Sequence, residues 1–302
     1  MKKIINRIWY HKVFYIMMIP GLLWFTIFRY APMYGIIIAF KDYNIKSGIL
    51  KSPWATPLFK HFEYFFKSRY FTQLLSNTLI ISVAKLATGM CASILLALIL
   101  NECASTIFKK LIQTLTYMPH FLSWVIVYGI VLMFLSESDG FVNQMLVSLG
   151  MKPVPFLSSP KYFRYVLILS DMWKECGWGA IIYIASMTNI DPNLYEAAKI
   201  DGAKRLQLIR YITLPSIASV IIVMLILRLG SVLDAGFDQI YIFYSVPVYE
   251  VADIIDTWVY RTGLEQLNFS LGSAVGLFKS LIGMLLIISS NTIARRWDEG
   301  IW

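Results

Sequence analysis

Six stretches of roughly 20 mostly apolar residues punctuate the chain, at about Val13 to Phe28, Leu74 to Leu98, Leu111 to Leu135, Tyr165 to Met187, Ser216 to Gly236 and Leu271 to Ala294. A bilayer core about 30 Å thick is crossed by roughly 20 residues at about 1.5 Å rise each, so every stretch predicts a transmembrane helix. The first can run on through Pro32 to Phe40 as a tilted or broken continuation. Its lysine-rich start is like that of a signal peptide, but no small-x-small cleavage site follows near Pro20 and Gly21, so it reads as an uncleaved span. The pattern predicts an all-α membrane protein with six transmembrane helices, one transmembrane domain over residues 1–302.

Between the fourth and fifth stretches lies a polar, amphipathic loop, residues 189–215, with helix punctuation at both ends. Asp191 can cap free N–H groups while Pro192 takes the first helical position, where its missing N–H costs nothing. The helix runs on through Tyr195, Glu196, Ala197, Ala198 and Ile200. Gly202 then permits positive φ and a turn, and a second helix starts around Ala203 with Leu206, Ile209, Tyr211 and Ile212. Pro215 restarts the chain as the next span.

Composition agrees with the pattern. The 302 residues are 58% hydrophobic and only 15% charged, with a mean hydropathy of +0.63. Ordinary soluble chains are less apolar and more charged, so soluble, disordered, collagenous and disulfide-scaffold classes are excluded. The formal charge of +9 has anionic lipid headgroups as its counter-charge and not nucleic acid, since no basic face interleaved with aromatics exists on a soluble scaffold. Basic residues place both termini in the cytoplasm by a small margin: Lys2, Lys3, Arg7, Lys12, Lys109, Lys110, Lys199, Lys204, Arg205, Arg210, Arg295 and Arg296 lie inside. The last external loop, about Phe237 to Phe269, strengthens that orientation by carrying Asp238, Glu250, Asp253, Asp256 and Glu265 against Arg261.

Candidate chemistry is sparse. Cys91, Cys103 and Cys176, with His11, His61 and His120, lack metal-ligand spacing, so no metal is expected. No lysine follows a glycine, so a G-x-x-x-x-G-K-[ST] phosphate loop is missing and ATP must be bound by another polypeptide. HExxH and Ser-His-Asp sets are missing too, and the chain alone is not expected to be an enzyme.

The string Glu196-Ala197-Ala198, three residues, Gly202, nine residues, Ile212, one residue, Leu214-Pro215 resembles the signature loop of ABC importer membrane subunits. Phe28 to Gly35, Ala39 to Asp42, Tyr117 to Phe121 with Ser123-Trp124, and Trp173, Gly177-Trp178 and Ile182-Tyr183 are similar to carbohydrate-importer permeases of the LplB type, within the maltose-permease-like superfamily. This resemblance implies the type I ABC importer permease fold, with a cytoplasmic coupling helix that docks on an ATPase through Glu196, Ala197, Ala198, Asp201, Gly202, Ile212, Leu214 and Pro215. It further implies a bacterial cytoplasmic-membrane location, a second related permease, an ABC ATPase dimer that holds ATP and Mg, and an extracellular lipid-anchored solute-binding protein. The implied cargo is a complex oligosaccharide or polysaccharide fragment. A stand-alone ion-coupled carrier or channel, and an ABC permease for peptide or another solute, are the competing readings.

Ionisable residues within spans usually face a bundle interior or an aqueous cavity. Lys85, Asp171, Lys174, Glu175, Arg228, Asp234 and Lys279 qualify. Asp171 and Lys174, three apart, can meet on one helix face, and the group with Glu175 reads equally as a salt-bridge network or as a solute path. Sugar rings lie on aromatic faces while their hydroxyls need paired donors and acceptors. In the resembling family the spans before and after the signature loop line the cavity, which nominates Asp171, Trp173, Glu175, Trp178, Tyr183, Ser231 and Asp234. The tryptophans read equally as interfacial anchors.

Overall fold

A computed structural model describes residues 9–295, and these are helical throughout, joined by turns and short connectors. The principal helices are α1 (Lys12–Phe25), α2 (Phe71–Asn101), α3 (Thr106–Tyr117), α4 (Trp124–Leu135), α5 (Pro160–Met187), α6 (Pro192–Ile200), α7 (Ala218–Gly230) and α8 (Phe269–Arg295). Helix therefore occupies all six predicted windows. Lys2, Lys3, Arg7 and Arg296, used above to orient the termini, lie outside the described residues.

The described residues divide into two compact units, one made of residues 9–68 and 259–278, the other of 69–258 and 279–295. In the first, α1 is apolar all round and none of its residues is buried. It continues through a π turn (Thr26–Tyr30), a single α turn (Ala31–Met33) and a 3-10 segment (Tyr34–Phe40). Pro32 lacks the N–H that would bond to the preceding turn, which accounts for the change of helix type beside it. Beyond Phe40, Lys41 reaches the carbonyls of Ile49 and Leu50 at 2.8 and 3.0 Å. Ser270 donates to the Lys41 carbonyl at 2.6 Å and accepts from the Tyr43 N–H at 3.0 Å.

The second unit is organised by α2 and α5, which pack along each other. Small residues allow the approach: a Cβ on Gly179 of α5 would strike Ser93 of α2, and one on Gly177 would run into the Thr116 carbonyl of α3. Two apolar clusters flank this contact. One contains Ala97, Leu100, Ala180, Tyr183 and Ile217; the other contains Ile81, Phe163, Leu167, Ile240, Phe243 and Ile254.

Two windows depart from the sequence reading. The third, Leu111 to Leu135, is a broken pair of helices bent by 108° and not one rod. Pro119 sits in a 3-10 turn (Met118–Phe121), and Ser123, in extended backbone, caps the N–H of Ile126 at 3.4 Å to start α4 afresh. The fifth window is bent by 58° after Ser216, and α7 ends at Gly230 instead of reaching Gly236. Residues 231–236 form a tight turn, closed by Gly236 at φ +86°. Helix α5 has 28 residues, enough to cross a bilayer, yet carries Lys161, Arg164, Asp171, Lys174 and Glu175. Arg164 satisfies itself inside the unit, donating to the Val251 carbonyl at 3.0 Å and to Asn77 at 2.6 Å.

Candidate coupling elbow and intramembrane polar cleft

The elbow begins as its punctuation predicts. Asp191 accepts from the Asn193 N–H at 2.9 Å, with Pro192 in the first turn of α6. At the other end the Ala203 N–H bonds to the Ala198 carbonyl at 2.9 Å and the Gly202 N–H to the Lys199 carbonyl at 3.0 Å. With Gly202 at φ +83°, this is a Schellman termination, which requires a left-handed residue at that point. A short second helix (Arg205–Leu208) follows, the backbone N–H of its cap residue Lys204 donating to the side-chain oxygen of Gln207 at 2.7 Å. A π turn (Ile209–Thr213) then leads to Pro215, whose missing N–H removes one bond from the ladder.

Within the elbow the residues divide by role. Glu196, Ala197, Asp201, Gly202 and Pro215 are exposed, while Ile212 and Leu214 are half-buried, Leu214 packing on the cluster around Ala97 and Ile217. Ala198, Gly202, Gln207, Leu208 and Tyr211 line a notch of about 210 Å³ between the two short helices. Ile200 and Leu206 stand beside it 87% and 80% exposed, apolar groups on an otherwise polar loop. A bond that sequence reasoning missed braces the elbow: the Tyr195 hydroxyl lies 2.9 Å from the Thr213 hydroxyl, and Thr213 is buried. Eighteen positions separate the two, so no helical periodicity signals the pair.

The candidate path residues fall into four places. Asp171, Ser231 and Asp234 come together with Ser82, Lys85, Arg228 and Gly236 around a cleft of about 200 Å³. Lys85, buried on α2, lies 3.5 Å from the Asp171 carboxylate, donates to the Ala235 carbonyl at 2.8 Å and also bonds to Gln239. Gln239 in turn donates to the Leu167 carbonyl and Ser170, both at 2.8 Å. Asp234 is bonded to Lys279 at 2.6 Å, and Lys279 also grips Asp256 at 2.7 Å. Burial pushes the Asp256 carboxyl above the usual carboxylate range, against the pull of Lys279. Sequence reading placed Asp256 in the last external loop without a partner and gave Gln239 no role, since nothing local marks either residue.

The expected pairing of Asp171 with Lys174 is not made. Asp171 turns across to Lys85, and Lys174 donates to the His120 carbonyl at 2.6 Å and lies 3.3 Å from Glu175. Glu175 belongs to this second place, 2.8 Å from Nδ1 of His120. Trp178 stacks on the same imidazole, rings 4.5 Å apart and 3° from parallel. Trp173 faces a third region, an apolar groove with Phe134, Tyr165 and Leu169. Tyr183 is 2% exposed, inside the Ala97 cluster.

The family described as "Binding-protein-dependent transport system inner membrane component" matches residues 89–302. The polygalacturonan/rhamnogalacturonan transport system permease protein YteP of Bacillus subtilis is 44% identical over 302 residues, covering all of this chain and 94% of YteP. Protein LplB of the same organism is 44% identical over 95% of this chain and 90% of its own. Among solved structures, a bacterial alginate ABC transporter in complex with an alginate pentasaccharide-bound periplasmic protein aligns at a TM-score of 0.89 with 40% identity, covering 98% of each chain. These matches fit a permease subunit and not a stand-alone ion-coupled carrier. The chain belongs to the inner-membrane components of binding-protein-dependent transport systems, as a non-catalytic, membrane-spanning permease subunit of an ABC importer.

Proposed function

We propose that this permease carries an acidic oligosaccharide, a fragment of a uronate-containing polysaccharide, and forms half of the path together with a second, related permease subunit. An ABC ATPase dimer holding ATP and Mg sits on the cytoplasmic side, a lipid-anchored solute-binding protein delivers cargo outside, and both termini are cytoplasmic. The permease names of the relatives and the alginate-loaded periplasmic protein of the structural neighbour support that cargo over peptide. The observation that carries the coupling role is the elbow itself, a short helix closed by a left-handed glycine, with Glu196 and Ala197 exposed beside a notch.

ATP-driven closure of the ATPase dimer then moves the elbow, and the bend that joins it to α7 passes the motion to the spans. Only a difference in contacts between the inward-open and outward-open states can bias that equilibrium, so the elbow has to be stiff. The Schellman bonds and the Tyr195 to Thr213 brace supply that stiffness. Asp171, Ser231 and Asp234 belong to the solute path. Trp173, Glu175, Trp178 and Tyr183 act as structural supports around it.

The test is reconstitution of the whole assembly in liposomes, with uptake of trigalacturonate as readout. Uptake needs ATP and the ATPase, and deletion of residues 196–202 abolishes it. Uptake by the permease alone without ATP, or normal uptake by the deletion, overturns the reading.

A further inference from the structure

The cleft around Asp171 contains one buried hydroxyl without a hydrogen-bond partner and one guanidinium that Asp171 reaches through space but that no side chain of the described residues grips. Its other charges are engaged: Lys85 with Asp171, the Ala235 carbonyl and Gln239, and Asp234 with Lys279. Arg228, half-buried in the last turn of α7, is different. Among the described residues no hydrogen bond reaches its guanidinium and no carboxylate lies within 4.0 Å of it. The second group is the hydroxyl of Ser82, buried and without a partner, which lines the same cleft. Gly179 of α5 adjoins the same region: a Cβ there would strike Ser93 and lie in ordinary van der Waals contact, 3.9 Å, with Nη2 of Arg228.

A guanidinium at membrane depth costs free energy unless something pairs with it. The carbonyl end of α7 offsets part of that cost, because a cation is favoured at a helix C-terminus. It does not fill the planar fork of five N–H donors, whose geometry suits a carboxylate held through two parallel bonds. A neutral sugar would leave the fork without a bidentate partner, its charge balanced only through space by Asp171. A sugar acid supplies on one ring a carboxylate for Arg228 and hydroxyls that can donate to Asp171 and exchange bonds with Ser82 and Ser231. At about 200 Å³ the cleft suits one ring at a time, a transit point and not a store for a whole oligomer.

We infer that Arg228 is the carboxylate-reading residue of this path, and that cargo passes it one uronate ring at a time with the ring hydroxyls on Ser82, Asp171 and Ser231. This rests on the transport reading above and adds the residue that selects acidic over neutral sugar.

The experiment uses the complete assembly in liposomes with trigalacturonate at saturating binding protein, comparing wild type with Arg228→Lys, Arg228→Gln and Arg228→Glu. In parallel, ligand-observed NMR on the detergent-solubilised assembly without binding protein compares galacturonate with galactose. Loss of a charge-assisted pair lowers uptake by Arg228→Gln on the order of tenfold to a hundredfold. Arg228→Lys falls between it and wild type, and Arg228→Glu is lowest. The galacturonate signal drops in Arg228→Gln while the weaker galactose signal holds. Wild-type uptake by Arg228→Gln, or equal loss of both NMR signals, overturns the inference. Arg228→Lys reports on the same contact should Arg228→Gln fail to assemble. A wild-type assembly that takes up no trigalacturonate refutes the transport reading, whereas uptake that is indifferent to Arg228 refutes this inference alone.

Discussion

Gly202 offers a clean perturbation, because backbone conformation alone sets its cost. The residue stands at φ +83°, and a Cβ built on it meets nothing within 4 Å. Substitution therefore brings no clash and acts only through the left-handed backbone, which costs an L-residue about 1–2 kcal/mol. Relaxing that strain would break the two bonds that end α6, from the N–H of Ala203 to the Ala198 carbonyl and from that of Gly202 to the Lys199 carbonyl. At about 1.4 kcal/mol per tenfold, Gly202→Ala holds the elbow in its present form some five- to thirtyfold less often. Asparagine tolerates this region better than alanine, and a β-branched residue worse. ATP-driven uptake by reconstituted transporter is thus expected to fall in the order glycine, asparagine, alanine, valine, with co-purification of the ATPase checking assembly. Valine transporting as well as glycine, or asparagine failing as badly as valine, would refute the claim that transport depends on this rigid turn.

Three further outcomes follow from the same structure. Lys85→Met and Asp171→Asn each leave a partner charge stranded; each is expected to cost about 2–3 kcal/mol, below the range for fully enclosed pairs because Asp171 borders the cleft, and the double variant should cost at least about 1 kcal/mol less than the sum. Equal additive losses in denaturant unfolding of the purified assembly would show the pair to be uncoupled. Tyr195→Phe removes the brace to Thr213 and is expected to destabilise the elbow by about 1 kcal/mol, read as faster proteolytic nicking within 196–208, while Tyr195→Ala adds only lost packing. Gly177→Val drives a side chain into the Thr116 carbonyl and should abolish recovery of folded transporter in size-exclusion chromatography; normal recovery would contradict the close approach of α3 and α5.

What the sequence revealed and what it concealed divide by range of interaction. The elbow was legible because its signals are local: Asp191 caps a helix with its carboxylate, Pro192 opens it and Gly202 stops it, each acting within a few residues of itself. The break in the third window was hidden because Pro119 sits among residues apolar enough for an unbroken span, and hydropathy does not register one extended residue at Ser123. The polar network was misread in its pairing. Helical spacing offered Lys174 to Asp171, but the partner taken was Lys85, 86 positions earlier on another helix. Likewise Trp173 and Trp178 share the aromatic character of a sugar platform, yet helix geometry turns one toward an apolar groove and the other onto His120.

The central claim is that the elbow receives mechanical work from a separate ATPase. Its most direct test is site-directed disulfide cross-linking in native membrane vesicles, with Cys91, Cys103 and Cys176 replaced and one new cysteine placed at the exposed Ala197. The account predicts a cross-link between Ala197→Cys and a cysteine in the ATPase groove, with a yield that changes on addition of ATP, and none from a control cysteine at the exposed Tyr64. Equal labelling from both positions, or no cross-link from Ala197→Cys in vesicles that transport, would contradict it.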